Sequence, residues 1–355
     1  FLAALGFWAG IPWALKMPLG HLVDLVWRHK AGLVWLGAAL IAASLLIMLG
    51  LVAEPRTMGG IMSLEAWFVL SALLSPVGYV LQDVVADAMT VEAVPRVDER
   101  GEMLPPETRR LMNTTLQTLG RVAIIGGGVI VSLVNVLMFQ GVESLPNAAR
   151  TAIYAQVYGM ALVIPAISVA GVLLAGLIKR REAERLRARG FDEASLHAML
   201  EPPTEQVKPD WWILGGSLVF VAISVSVGVS QLDFGQEIIF LGSFAVITFL
   251  MAKLLRELDE DSRRTLLGTA IVIFVFRAMP GPGAGSTWWM IDVLGFDQSF
   301  LAKLSLIASV LTLFGLFGFR RFMGERSIAY IVGFLALTGT LLSVPTLGMY
   351  HGLHE

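Results

Sequence analysis

The sequence predicts an all-α protein that crosses a membrane many times. Of its 355 residues, 56% are hydrophobic and only 15% are charged, whereas soluble domains are about 45–50% apolar and about 25% charged. The mean hydropathy is +0.73. The apolar residues also lie in long runs, and a membrane helix needs about 20 of them in succession. No run alternates apolar and polar residues as barrel strands do, so the predicted spans are helices.

The same composition excludes several classes of protein. The 26 Lys and Arg residues do not outnumber the 28 Asp and Glu residues, so the chain lacks the basic excess that binds nucleic acid. It has no cysteine, which excludes disulfides, thiolate metal sites and a cysteine nucleophile. The histidines lack metal-ligand spacing, and no GxSxG, HExxH or P-loop sequence is present. We therefore expect no metal, no cofactor and no enzyme activity.

Ten segments are predicted to cross the membrane. Five of them are uninterrupted apolar runs of about 20 residues or more, and the other five are shorter or carry charges. The segments are residues 1–27, 31–53, 64–94, 110–142, 151–178, 211–231, 236–255, 264–293, 298–320 and 326–350.

The basic residues support this count because they alternate between loops. Twenty of the 26 Lys and Arg residues fall in the loops of one side, and only Arg56 and Arg150 fall in those of the other. The positive-inside rule places the rich side in the cytoplasm. Phe1 and Glu355 then both lie outside, so we expect the chain to be a fragment of a 12–14 helix protein that lacks at least the helix before Phe1.

The segments predict four regions along the chain. The charged run at 179–189 has helical propensity, and Gly190 is expected to end it. The regions are a five-helix bundle at 1–178, a cytoplasmic linker at 179–210, an additional helix pair at 211–257 and an incomplete second bundle at 258–355.

A few ionisable residues are predicted within the membrane, where a charge costs a few kcal/mol. With a rise of about 1.5 Å per residue, Lys16, Arg121 and Arg277 lie near the middle of their segments. Three buried cations would suit an anionic substrate. Asp83 and Asp87 are four residues apart and therefore share one helix face. The alternative is that these carboxylates pair with Arg121 and only hold helices together.

Two segments contain residues that interrupt a helix. Residues 278–285, directly after Arg277, read Ala-Met-Pro-Gly-Pro-Gly-Ala-Gly, and two prolines flank Lys16. Proline removes a backbone donor, and interrupted helices of transporters commonly mark the binding site. A simple kink is the alternative. Trp288, further along, would stack on a flat ring or belong to the interfacial aromatic belt.

These motifs together resemble the folate–biopterin transporter family of the major facilitator superfamily. Pro-Trp-Ala-Leu-Lys at residues 12–16, with Gly20 and Asp24 beyond it, is similar to the family's Pro-Trp-x-x-Lys segment. Residues 82–88, Gln-Asp-Val-Val-Ala-Asp-Ala, look like another of its helices. Residues 277–296, which end in Asp-Val-Leu-Gly-Phe, look like the first helix of its second half.

The resemblance implies a secondary transporter of two six-helix bundles with up to two extra helices, working by alternating access. The family's substrates are folates and pterins, so the implied cargo is a flat organic anion moved together with protons. Lys16, Arg121, Arg277 and Trp288 are then the expected substrate contacts. The expected location is a bacterial inner membrane, with the protein spanning the lipid bilayer many times and its basic loops in the cytoplasm.

Three carboxylates are assigned to coupling or gating. Asp83 and Asp87 are the expected proton-carrying or gating groups. In the superfamily, the aspartate of the loop signature makes a gating contact with a neighbouring helix end, which implies a gating role for Asp24.

Two alternatives remain open. Muropeptide permeases of the same superfamily share the Asp-x-x-x-Asp-Ala segment of residues 83–88, so a muropeptide-permease-like or other major facilitator transporter is the first. The second is a non-transporting membrane protein that assembles pigment or cofactor complexes, because superfamily-like proteins with that role exist.

Overall fold

The computed structural model of the chain describes residues 8–13, 15–26, 29–92, 94, 103–188, 190, 208–229, 232, 234–256, 258–278, 283–319, 322 and 325–352. Within these ranges the chain forms helices, turns and short connections, and no β-strand is present. The predicted all-α class is confirmed for this part of the chain.

The helices are numbered here in chain order, after a helical stretch at residues 8–13. They are α1 (Lys16–Leu25), α2 (Lys30–Ala53), α3 (Pro55–Gly59), α4 (Leu64–Glu92), α5 (Pro106–Met138), α6 (Asn147–Ala161), α7 (Val163–Ala188), α8 (Trp211–Val229), α9 (Gly235–Arg256), α10 (Glu260–Arg277), α11 (Gly283–Asp292), α12 (Gln298–Gly318) and α13 (Ile328–Tyr350). A 3₁₀ turn at Val142–Ser144 precedes α6.

Among the described residues, six helical stretches are long and apolar enough to cross a membrane, as in a multi-pass membrane protein. They coincide with six of the ten predicted segments, and helices also occupy the described parts of the other four, whose crossing of the membrane stays a prediction. The six stretches are Lys30–Ala53, Leu64–Thr90, Glu107–Met138, Asn147–Ala188, Gln298–Gly318 and Ile328–Tyr350.

Many large apolar side chains on these helices are exposed. Leu342 exposes 78% of its surface, Phe314 71% and Ile167 65%. A helix satisfies its own backbone donors and acceptors, so it can present such side chains to hydrocarbon. The exposed apolar surface therefore agrees with the lipid contact that the composition predicts.

Short polar residues begin several of the helices. The side chain of Asp259 accepts a hydrogen bond from the backbone N–H of Ser262 at 3.1 Å and caps α10. The hydrogen bonds from Ser262 lower the pKa of the Asp259 carboxyl below its ordinary value. Asp297 and Ser327 cap α12 and α13 in the same way, which satisfies donors that a helix start leaves unpaired.

Proline and glycine set two other helix ends. Predicted segment 151–178 is divided at Leu162, between α6 and α7. Pro165 lies four residues after Ala161 and has no N–H to bond the Ala161 carbonyl, which explains the division. Helix α7 then continues to Ala188, so the charged run from residue 179 is helical as predicted. Gly190 follows with φ +90°, and residues 191–207 of the predicted linker lie outside the described residues.

The chain divides into two compact units. The first comprises Phe1–Arg121 and Val134–Val246, and the second comprises Val122–Leu133 and Ile247–Glu355. The bounds of the four regions predicted from the sequence stay a prediction.

In the first unit, α4 packs along α2 and also contacts α1. A buried cluster of Val23, Val80, Val84 and Val85 joins α1 to α4. Helix α2 additionally contacts α6 and α7. These contacts make α2 and α4 the frame against which α1 is placed.

Small residues allow α2 and α4 to approach closely. A Cβ atom added to Gly37 would lie only 2.6 Å from the carbonyl oxygen of Gly78. About two turns further along, the Ser44 hydroxyl donates to the Ser71 carbonyl at 2.8 Å, and the Ser71 hydroxyl donates to the Ser44 carbonyl at 2.9 Å. Glycine contacts and reciprocal serine hydrogen bonds are typical of packing between membrane helices.

The start of α8 contacts α1 in the same unit. The backbone N–H of Asp210 donates to His21 Nε2 at 2.8 Å. The Asp210 carboxylate accepts the backbone N–H of Trp212 at 2.8 Å. One residue therefore both caps α8 and holds its first turn on α1.

In the second unit, α10 contacts α13. The segment Val122–Leu133 of α5 also belongs to this unit, and the Ser132 and Ser305 hydroxyl oxygens lie 3.3 Å apart.

Candidate functional site

The first segment is interrupted where its prolines predict. Residues 8–13 are helical, and the N–H of Leu15 bonds the carbonyl of Pro12 at 3.2 Å in a turn. Helix α1 then begins at Lys16. Pro18 falls in its first turn, where a helix does not need the missing N–H. The interruption therefore places Lys16 at the first position of a helix.

A three-residue ion cluster, formed by Lys16, Asp83 and Asp87, joins α1 to α4. Lys16 Nζ donates to Asp83 Oδ2 at 2.6 Å, and Asp87 Oδ2 lies 2.6 Å from the same nitrogen. The side chains of Lys16, Asp83 and Asp87 are 39%, 18% and 64% exposed. The four-residue spacing on α4 directs both carboxylates to the face that meets α1.

The position of Lys16 explains the need for two carboxylates. The start of a helix carries about half a positive charge, which disfavours a cation there. Taking a charge out of water adds a further cost of several kcal/mol unless it is paired. The two carboxylates of α4 offset both effects, so the contact between the two helices compensates the charge of Lys16.

An aromatic pair accompanies the ion cluster: Trp13 lies three residues before Lys16, and Tyr79 lies four residues before Asp83. The ring centroids of Trp13 and Tyr79 lie 5.3 Å apart, with the rings inclined at 52°. Tyr79, Asp83 and Asp87 follow one another at four-residue intervals and so share one face of α4. Trp13 is 44% exposed and Tyr79 41% exposed, so this face offers accessible rings beside ionised groups.

Gln82 connects the turn of α4 that carries Asp83 to two other helices, α2 and α7. Its Nε2 donates to the carbonyl of Val34 on α2 at 3.1 Å. Its Oε1 accepts from the Ser168 hydroxyl of α7 at 3.2 Å. A side-chain amide that bridges three helices in this way holds Asp83, its chain neighbour, at a fixed height.

Two predicted residues of the first unit lie outside the ion cluster. Asp24 on α1 and Arg121 on α5 are both exposed. Among the described residues, neither forms an ion pair with Lys16, Asp83 or Asp87. The carboxylates pair with Lys16 in place of Arg121, and the roles of Asp24 and Arg121 stay predictions.

The second unit contains the other predicted interruption. Helix α10 ends at Arg277 and α11 begins at Gly283, so the predicted break is confirmed, and residues 279–282 between them lie outside the described residues. Arg277 is exposed. Trp288 is 49% exposed. Their assignment to a substrate stays a prediction.

Sequence reasoning missed the partners of Lys16. No acidic residue is near it in sequence, and Asp83 is 67 residues away. One signal was present: a lysine and two carboxylates lie inside separate apolar segments, and buried charges are usually paired. Trp13 belongs to the Pro-Trp-x-x-Lys motif, and no sequence pattern points to Tyr79.

The ion cluster is a poor candidate for a metal site. It offers two carboxylates and a competing ammonium group, and no set of three or more His, Asp and Glu side chains that could hold a metal occurs in the described ranges.

The fold and the ion cluster define an all-helical, multi-pass membrane protein with a charged contact between two apolar helices. No family model, curated protein or solved structure matches the chain. The transporter resemblance therefore rests on the residues that carry it.

Proposed function

We propose that the chain is a secondary active transporter that moves a small, folate- or pterin-like organic anion by proton-linked alternating access. The single observation that carries the proposal is the pairing of Lys16 with both Asp83 and Asp87 at 2.6 Å. The interrupted segments beside Lys16 and after Arg277 support it, since broken helices are the usual setting of transporter binding sites.

The charge of the ion cluster provides the link to protons. With both carboxylates ionised, one lysine leaves a net negative charge. An anion about 4 Å from an uncompensated carboxylate is opposed by about 4 kcal/mol at an effective dielectric constant of about 20, or roughly a thousandfold in affinity. One proton makes the cluster neutral. The anion and the proton therefore bind together, which is the coupling that a proton symporter requires.

Exposure indicates which carboxylate takes the proton. Asp87 is 64% exposed, whereas Asp83 is 18% exposed. Asp87 is therefore the group that exchanges protons with water, and Asp83 keeps Lys16 in place. Loss of charge at Asp87 frees one side of the Lys16 ammonium for the anion.

The remaining assignments are part of the same proposal. Arg121, Arg277 and Trp288 are further substrate contacts, and Asp24 is a gating residue. The protein lies in a bacterial inner membrane with its basic loops in the cytoplasm.

Uptake into proteoliposomes under an imposed pH gradient tests the proposal. We expect wild-type protein to accumulate a radiolabelled pterin or folate anion only when the gradient is present. Asp87→Asn is expected to abolish the response to the gradient while leaving exchange of the anion across the membrane. Glu65→Gln is the matched control, because it removes one exposed carboxylate from the distant first turn of α4.

Two results would contradict the proposal. If Asp87→Asn and Glu65→Gln respond equally to the gradient, Asp87 is not the coupling group. If the folded full-length protein moves no organic anion under any gradient, it is not such a transporter, and the non-transporting alternative is favoured.

A further inference from the structure

We propose that Trp13 and Tyr79 form the site for the flat ring of the substrate, while Lys16 binds its anionic group. This inference rests on the proposed function and adds the place and the geometry of recognition. It assigns the ring site to the first compact unit, whereas the sequence pointed to Trp288 in the second unit.

The geometry of the pair leaves room for a third ring. Trp13 and Tyr79 are inclined at 52° with centroids 5.3 Å apart. Rings in this arrangement contact each other at an edge and do not cover each other's faces. Trp13 is 44% exposed and Tyr79 41% exposed, so the pair is not covered by the rest of the chain.

The distance between the aromatic pair and the ion cluster defines the ligand. Asp83 follows Tyr79 by one turn of α4, a rise of about 6 Å, and Lys16 Nζ lies 2.6 Å from Asp83. A ring against Tyr79 therefore has an ammonium group about one helical turn away. The matching ligand has a flat ring that carries its anionic group directly, as in a pterin carboxylate.

Trp288 offers a poorer match to such a ligand. It is 49% exposed, but the neighbouring Trp289 is engaged with Tyr350 at 5.8 Å. Among the described residues, no ion pair involves α11. Tyr79 instead shares its face of α4 with Asp83 and Asp87, and Trp13 lies three residues before Lys16.

The test compares two anions on the purified full chain. Calorimetry measures the dissociation constants of pterin-6-carboxylate, which has a flat ring, and of cyclohexanecarboxylate, which does not. We expect wild-type protein to prefer the pterin by about tenfold or more. Trp13→Leu and Tyr79→Leu are each expected to reduce this preference by about three- to tenfold, whereas Trp13→Phe and Tyr79→Phe retain most of it.

The matched control is Trp35→Leu, because Trp35 is 47% exposed on α2 in the same compact unit. It is expected to leave the preference unchanged. The ratio of the two dissociation constants separates ring recognition from stability, since a merely structural change would weaken the binding of both anions equally.

Several results would overturn the ring site. They are an unchanged preference in both leucine variants, a preference lost in Trp288→Leu but kept in Trp13→Leu, and a wild-type protein that binds the two anions equally. A protein that shows the expected preference and yet transports neither anion would support the ring site and contradict the proposed function.

Discussion

Each compact unit contains an interrupted helical segment with a cation at the break, but the two cations occupy opposite helix ends. Lys16 is the first residue of α1, and Arg277 is the last residue of α10. The helix dipole disfavours a cation at the first position and favours one at the last. Lys16 therefore needs the carboxylates of α4, whereas Arg277 is partly compensated by the carbonyl groups of its own helix.

The helices around the cation also pack more closely in the first unit than in the second. The helices α2 and α4 approach until the backbones at Gly37 and Gly78 touch, whereas Gly268 on α10 and Gly333 on α13 have open space beside them among the described residues. The first unit thus holds its charges in a fixed frame, and the described part of the second leaves its cation exposed. Similar sequence patterns, proline beside a cation in an apolar segment, therefore give an ion-paired cation in the first unit and, among the described residues, a cation without an ion pair in the second.

The largest expected effect is on the ion cluster. Lys16→Met leaves two carboxylates facing each other without a cation and is expected to lower the free energy of unfolding by about 2–3 kcal/mol. This is less than the 3–5 kcal/mol of a fully buried pair, because the Lys16 side chain is 39% exposed. Thermal unfolding in detergent measures it. Lys303→Met, at an exposed lysine of α12, is the control, and equal losses in the two variants would contradict the pairing.

A smaller effect is expected from the contact between α2 and α4. Gly37→Ala places a Cβ atom 2.6 Å from the Gly78 carbonyl oxygen, and the helices must separate at a cost of about 1–2 kcal/mol. Gly32→Ala, one turn earlier on α2 with nothing within 4 Å, is expected to be neutral or slightly stabilising, since alanine favours helix. A similar melting temperature for both variants would show that the close approach is not present.

The serine contacts extend the comparison to both units. Ser44→Ala removes a donor to the Ser71 carbonyl at 2.8 Å and is expected to cost about 0.5–1 kcal/mol. Ser132→Ala in the second unit removes only a hydroxyl contact at 3.3 Å and should cost less. Unfolding in detergent compares the two, and a larger loss at Ser132 would reverse the proposed order.

The smallest effect on stability is expected at Arg277. Arg277→Gln removes a charge from the favourable end of α10, at a cost of about 0.5 kcal/mol. The predicted contact of Arg277 with the substrate requires that the same variant also binds the anion more weakly. Affinity and melting temperature measured on one sample separate these effects, and a variant that loses stability as Lys16→Met does would contradict the difference between the units.

The sequence predicted the elements better than the contacts. Apolar runs and the spacing of basic loops are properties of neighbouring residues, and in the described part of the chain six of the ten segments form helices long enough to span a membrane. The prolines beside Lys16 and after Arg277 predicted both interruptions, because a proline acts on the backbone of its own neighbours. The partner of Lys16 depends on how α1 packs against α4, 67 residues further along the chain, and no local pattern specifies that.

In the proposed transport cycle, the anion binds at the ion cluster together with a proton at Asp87. Calorimetry of pterin-6-carboxylate binding in two buffers of different ionisation enthalpy tests it most directly, because the difference between the observed heats gives the protons taken up. We predict uptake of about one proton per anion by the wild-type protein and about none by Asp87→Asn, whose cluster is already neutral. Anion binding without proton uptake in the wild type, or with the same uptake in Asp87→Asn, would contradict the account.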